Sequence, residues 1–186
     1  MDKFSKFFLI VGALFFVFLL LISSIAGIAQ MLFMVLIYLF RKPARFVLRM
    51  ITKNDFALVV IFGTLFGLVE EVLWFMTEPG IQQTMFSSLS VDLASMLPTY
   101  FIFYSVVYFL AKRSRTTERR AFIYGGIFGY VFYFLAESGI LGFQFGGIPG
   151  APLPLILVWE INNFFLNGLL VWFPLYVSDL LRENNA

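Results

Sequence analysis

Long apolar segments separated by short polar connections constrain the fold of this chain more than any other feature. The first runs almost unbroken over residues 7–40, and the others cover approximately 56–77, 91–111, 121–142 and 154–177. About 20 apolar residues in a helix are enough to cross the hydrocarbon core of a bilayer. Only 13% of the residues are charged, which is too few to cover the surface of a soluble domain. The sequence therefore predicts one integral membrane domain over 1–186, an all-α polytopic bundle of transmembrane helices.

The first apolar segment is too long for one upright helix and slightly short for two. A bend between Ser23 and Gly27 would divide it into two short helices, whereas a single helix would have to tilt. Lys3 and Lys6 ahead of the apolar stretch are also typical of a signal peptide. We expect six spans, or five if residues 7–40 form one helix.

Basic residues then recur at every fourth position of the next segment. Residues 41–53 contain Arg41, Arg45, Arg49 and Lys53, which share one face of a helix. This pattern predicts a short interfacial helix that lies on anionic lipid headgroups.

The distribution of basic residues between the connections predicts the topology. Segment 112–120 contains five Lys or Arg, whereas 78–90 and 143–153 contain none. The positive-inside rule places 41–54, 112–120 and the C-terminus in the cytoplasm. The expected location is the cell membrane.

Composition excludes several kinds of chemistry. The chain has no Cys and no His, which removes disulfides, thiolate metal sites, haem ligation by His and Ser-His-Asp catalysis. The net charge of +2 is too small to indicate nucleic acid as a partner. No metal is predicted, and the sequence does not identify a cofactor.

Four glutamates lie inside the predicted spans, where an ionised side chain costs several kcal/mol and needs a reason. Counting about 1.5 Å per residue, Glu70 and Glu71 lie about 5 Å from the midpoint of their helix, and Glu137 and Glu160 roughly 8 Å from theirs, all toward the outer side. No Lys or Arg lies within these spans. We expect the four carboxyls to share one level, where they are protonated or bind a cation, with Glu70, Glu71 and Glu160 as catalytic acids.

Polar neighbours extend this pattern along three helices. Their spacing of three or four residues places each set on one helix face, and the sets are Glu160, Asn163 and Asn167; Tyr130, Tyr133 and Glu137; and Tyr100, Tyr104 and Tyr108. Glu137, Asn163, Asn167, Tyr133 and Tyr104 are therefore the predicted substrate- or ion-binding residues. The alternative is that these groups only hydrogen-bond the helices together.

The six-span interpretation divides the chain into two inverted three-helix halves, 7–77 and 91–177. Each half carries an E-x-x-x-[WF]-F motif on its third helix, beginning at Glu70 and at Glu160. In such repeats the corresponding sites lie near the midplane, at the repeat interface. Glycine pairs with GxxxG spacing, Gly63 with Gly67 and Gly125 with Gly129, predict close helix packing.

Two families resemble parts of this pattern. EEVLWFMTEP, which ends at Pro79, and the later WEINNFF resemble the acidic third helices of membrane lycopene cyclases. That resemblance implies proton-initiated chemistry on a long isoprenoid, with Glu70, Glu71 or Glu160 as the acid. GLVEEVLWF also resembles the Glu-Glu helix of the CAAX-type intramembrane proteases, but Phe75 stands where that family has an Arg, and its histidines are absent.

Three functions remain open at the level of sequence. The first is acid-assisted binding or conversion of an isoprenoid or another lipid. The second is a small proton- or cation-coupled transporter or channel. The third is an accessory structural subunit that packs against other membrane subunits. Membrane lipid is an expected partner in each case.

Overall fold

The protein is described from a computed structural model, which covers Ile10, Ala13, Val17 and the ranges 25–77, 88–114, 116–137 and 153–181. Within these residues the chain is all-helical, and no strand forms. The helices are α1 (Ile25–Ile51), a π-helical turn (Ala57–Ile61) that continues into α2 (Phe62–Thr77), α3 (Leu89–Ser114), α4 (Glu118–Glu137) and α5 (Leu153–Val177).

Two of these segments are long enough and apolar enough to cross a membrane, namely Ala57–Thr77 and Leu89–Ser114. The apolar part of α5, Ile161–Val177, is shorter. For α2 with its π-helical turn and for α3 to α5, the helix bounds agree with the predicted spans to within five residues, whereas α1 continues past the predicted end of its span at Phe40. A six-span bundle is not established, since most of residues 1–24 lies outside the described part of the chain. The inverted repeat, whose first helix would fall there, stays a prediction.

Helix α1 corrects the prediction of a separate interfacial helix over 41–53. The apolar stretch from Ile25 and the basic segment form one continuous helix that ends at Ile51, with Pro43 in its interior. Gly27, at which a bend was expected, also lies within this helix. The residues on both sides of Pro43 are good helix formers. In addition, Arg45 and Arg49 are held by partners on other helices, which fixes the last turns of α1 against the bundle.

A network of four charged residues joins the end of α1 to the rest of the fold. Arg45 Nη2 lies 2.9 Å from Asp179 Oδ1, and Arg49 Nη1 lies 3.3 Å from Asp55 Oδ1. Arg49 also pairs with Asp179, whose backbone N–H donates to Asp55 Oδ1 at 3.2 Å. Since Asp55 precedes α2 and Asp179 follows α5, this network shows that the start of α2 lies beside the end of α5.

The π-helical turn that leads into α2 is capped by the side chain of Asn54. Asn54 Oδ1 accepts hydrogen bonds from the backbone N–H groups of Phe56 and Ala57 at 2.9 and 3.4 Å, which is the usual role of Asn at a helix N-cap. The helix then takes one π turn, in which the Phe62 N–H donates to the Ala57 carbonyl. Leu58, Val59 and Val60 in this turn are buried in the core.

Helices α4 and α5 approach each other most closely, because glycines lie at their contact. A Cβ atom added at Gly125 would lie 2.8 Å from the Asn167 carbonyl oxygen, and one at Gly168 would lie 2.9 Å from that of Phe122. No side chain fits at such distances, so only glycine permits this backbone approach. The packing role predicted for Gly125 agrees with this geometry.

Candidate functional site

The candidate site lies where α2 and α3 pack together. Gly63, Gly67 and Glu71 follow one another at intervals of four residues along α2 and so form one row. Cβ atoms added at Gly63 and Gly67 would lie 2.6 and 2.9 Å from the rings of Tyr104 and Tyr100 on α3. The predicted GxxxG pair therefore provides a flat surface for two tyrosine rings. The two helices are antiparallel, since the lower number on one meets the higher number on the other.

Glu71 lies one turn beyond Gly67, within reach of the hydroxyl of the ring that covers this glycine. The Tyr100 hydroxyl donates a hydrogen bond to Glu71 Oε1 at 2.7 Å. The Glu71 side chain is buried. Because of this spacing, the tyrosine ring that packs on Gly67 also donates a hydrogen bond to a buried carboxyl one turn away.

Asp92 is a candidate site residue that the sequence pattern did not reveal. It lies in the first turn of α3, where its side chain is completely covered, and it is close enough to Glu71 for the two carboxyls to interact electrostatically. Neither of its carboxyl oxygens has a hydrogen-bond partner in the part of the chain that the structure describes. A signal was present in the sequence, because Asp92 precedes Tyr100 by eight residues and so falls on the same helix row.

Tyr104 is completely buried, and its hydroxyl compensates for a proline in another helix. The hydroxyl donates to the Leu170 carbonyl of α5 at 3.0 Å. Leu170 precedes Pro174 by four residues, and proline has no N–H to donate back to that carbonyl. Tyr104 therefore supplies the hydrogen bond that Pro174 removes from α5, as a buried carbonyl in a membrane requires.

Glu70 is the second acid that the structure brings to this region. Its side chain is buried, and it lies close enough to Tyr104 for an electrostatic interaction. The structure thus places three of the sequence-predicted site residues, Glu70, Glu71 and Tyr104, along the α2–α3 contact, with Tyr104 about two helical turns from the two acids.

Two of the predicted asparagines lie on α5 at a similar level. Tyr104 contacts Gly63 of α2 and Leu170 of α5, so these residues mark one level of the bundle. Glu70 lies seven residues from Gly63, and Asn163 lies seven residues from Leu170 on the antiparallel helix. Both are therefore about 10 Å from that level, on the same side. Asn163 is buried and its Nδ2 has no partner among the described residues, while Asn167 Nδ2 donates to the Asn163 carbonyl at 2.9 Å. The side-chain amide of Asn167 therefore hydrogen-bonds within its own helix.

The remaining predicted residues are placed only by their backbone. Glu137 is the last residue of α4, Tyr133 lies one turn before it, and Glu160 lies in the second turn of α5. Their side chains are outside the described part of the structure. The expected meeting of four carboxyls at one level therefore stays a prediction. The carboxyl cluster of the described structure is the pair Glu71 and Asp92, with Glu70 adjacent to Glu71 in α2.

The charge balance of this carboxyl cluster limits what it can bind. Segments 57–77 and 89–111 contain no Lys or Arg. Among the described residues, no group of three or more Asp or Glu is arranged to hold a metal ion. A proton is the smallest cation that neutralises a buried carboxyl, and it needs no set of converging ligands.

The chain was compared with family models, with characterised proteins and with solved structures, and none of them matches it. The resemblances to lycopene cyclases and to CAAX-type proteases are thus neither supported nor contradicted.

Proposed function

We propose that this chain is an integral membrane protein that binds and transfers a proton at the carboxyl cluster of α2 and α3. One observation carries the proposal. Glu71, hydrogen-bonded to Tyr100, interacts electrostatically with a second carboxyl, Asp92, whose side chain has no exposed surface and no hydrogen-bond partner in the described part of the chain.

The physical reason is the cost of charge in an apolar environment. An ionised carboxylate inside a bilayer costs at least about 2.5 kcal/mol even on the insertion scale that gives the lowest values. Two carboxylates that interact electrostatically also repel each other when both are ionised, so the ionisation of one disfavours the ionisation of the other. The Tyr100 hydroxyl donates a hydrogen bond to Glu71 Oε1. This bond stabilises the protonation states of Glu71 in which Oε1 carries no proton.

The order of the residues along the helices suggests a route. Asp92 lies in the first turn of α3, near the end of the bundle, and Glu71 comes next. Glu70 and Tyr104 follow further into the α2–α3 contact. A proton that enters at Asp92 moves to Glu71 and leaves Asp92 ionised until it is protonated again. If this proton movement is coupled to the movement of a solute, the protein is a proton-coupled transporter. Without such coupling it is a proton channel or a proton sensor.

Infrared titration of the purified protein in lipid tests proton binding directly. The carbonyl band of a protonated carboxylic acid is expected to change with pH and to lose intensity in Glu71→Gln and in Asp92→Asn. Glu118→Gln is the matched control, since this carboxyl also accepts a hydrogen bond, from Trp172 Nε1 at 3.3 Å, but lies at the start of α4. A band that is the same in all three variants would refute the proposal.

Proteoliposomes that contain a trapped pH indicator test transfer. After an acid jump, the unmodified protein is expected to dissipate the gradient faster than empty liposomes, and Asp92→Asn is expected to abolish the difference. Titration without flux would mean that the cluster binds a proton but does not pass it across the membrane.

Acid-assisted binding or conversion of an isoprenoid is a second candidate function. Val69 and Met76, which flank the two acids on α2, are exposed apolar side chains that an apolar substrate could approach. Organic extraction of the gently purified protein tests this function. An isoprenoid that is retained by the unmodified protein and lost in Glu70→Gln would favour it over proton transfer alone.

A further inference from the structure

A groove at the opposite end of the bundle combines fixed cations with exposed apolar side chains. It has a volume of about 470 Å³ and is lined by Lys42, Arg45, Phe46, Arg49, Met50 and Tyr176. Five of these residues belong to the last turns of α1, and Tyr176 belongs to the end of α5. The groove therefore exists only because the basic segment continues α1 and packs against α5.

The arginines of the groove are held in place before any ligand arrives. The Arg45 guanidinium lies 2.9 Å from Asp179 and 5.3 Å from the centre of the Tyr176 ring. Arg49 pairs with both Asp55 and Asp179. Positioned guanidinium groups lose little conformational entropy on binding and suit phosphate oxygens.

The charge of the groove and its partners is positive. Lys42, Arg45 and Arg49 supply three positive charges, and Asp55 and Asp179 supply two negative ones, which leaves one positive charge. Lys42 is exposed at the rim. A ligand with a single negative charge would neutralise this net charge of +1.

The apolar side chains of the groove indicate what kind of anion it is. Phe46 is 68% exposed and Met50 is 73% exposed, although both lie beside the cations. Exposed apolar side chains next to fixed cations, at the end of an apolar helix, match the boundary between headgroups and acyl chains. A free phosphate would leave them uncovered, whereas an acyl chain would cover them.

We propose that this groove is a binding site for an anionic phospholipid, with the phosphate beside Lys42 and Arg45 and an acyl chain against Phe46 and Met50. The site is independent of proton binding, because it shares no residue with the carboxyl cluster. It also gives the basic segment a defined ligand position in place of a general attraction to the membrane surface.

Native mass spectrometry of the full chain, released from micelles that contain phosphatidylglycerol or phosphatidylcholine, tests the proposal. We expect preferential retention of phosphatidylglycerol and a loss of about fivefold in Lys42→Gln, the effect of removing one charge near a lipid surface. Lys53→Gln is the matched control, because it removes the same charge from the same end of the bundle but outside the groove. Lys42 makes no ion pair among the described residues, so its substitution leaves the charged network intact.

Three results would overturn the inference. Equal retention of the two lipids would show that the groove does not select an anion. Equal losses in Lys42→Gln and Lys53→Gln would show general electrostatics without a site. Unchanged retention in Met50→Ser would exclude an acyl chain as the occupant, because this variant removes apolar surface and leaves every charge in place.

Discussion

The hydrogen bond between Tyr104 and the Leu170 carbonyl predicts a specific energetic coupling between two helices. Tyr104→Phe keeps the ring on Gly63 and removes only the hydroxyl. The Leu170 carbonyl then loses its donor, and Pro174 has no N–H to replace it. A buried carbonyl without a partner costs about 1–3 kcal/mol. Since hydrogen bonds in membrane proteins are worth at most about 1.7 kcal/mol in measured cycles, we expect a loss of about 1–1.7 kcal/mol.

Pro174→Ala is the second arm of the cycle. Alanine restores the backbone N–H, so the Leu170 carbonyl regains its donor within α5. Tyr104→Phe is then expected to cost only a few tenths of a kcal/mol, and the coupling energy between the two substitutions is expected to be about 1 kcal/mol. The double-mutant cycle subtracts any change in stability that Pro174→Ala causes in α5 independently of Tyr104.

The free energy of unfolding in lipid bicelles is the quantity to measure for all four proteins of the cycle. Tyr108→Phe is the matched control, because it removes a hydroxyl from the next turn of the same row. Among the described residues, this hydroxyl accepts a hydrogen bond only from Lys112 Nζ, at 3.4 Å near the end of α3. The reasoning is refuted if Tyr104→Phe costs the same with proline and with alanine at position 174, or if it costs no more than Tyr108→Phe.

Two further predictions concern packing and charge. Gly63→Ala is expected to destabilise the protein by about 1–3 kcal/mol and Gly67→Ala by less, because the ring over Gly63 is completely buried and would lie closer to the added methyl group, whereas the ring over Gly67 is only half-buried; equal losses in thermal unfolding would contradict this. Asp55→Asn is expected to lower the free energy of unfolding more than Asp179→Asn does, because the Asp55 side chain is 31% exposed and that of Asp179 is 63% exposed. Both losses should be smaller in high salt. The reverse order in denaturant unfolding would exclude our account of the network.

The sequence predicted the helical segments well because apolar length is a local property. The bounds of α2, α3 and α5 follow from where apolar residues begin and end, and Asn54 marks the start of α2 by a cap that is readable in the sequence. The continuity of α1 through Pro43 was not predictable in this way. The last turns of α1 are held by Asp179, which lies more than 100 residues away, and a local pattern does not contain that partner.

The site was predictable in part for a related reason. An acid inside an apolar run is conspicuous, so Glu70 and Glu71 were found, whereas Asp92 lies at the edge of a span next to Ser90 and looks solvated. Its burial depends on how α2 and α3 pack. The partners of Arg45 and Arg49 were missed because the periodicity of the arginines predicted contact with lipid and gave no information about Asp179.

The network at the end of α1 also has a consequence for the order of assembly. Arg45, Arg49 and Asp55 emerge early in synthesis, whereas Asp179 follows the last helix. Chains fold from the N-terminus as they are made, so Arg45 lacks its carboxylate partner, and Arg49 its second one, until α5 has formed. Closing this contact brings together residues more than 120 positions apart, which is a slow and late step. The same four residues that hold the finished bundle together therefore distinguish it from every shorter nascent chain.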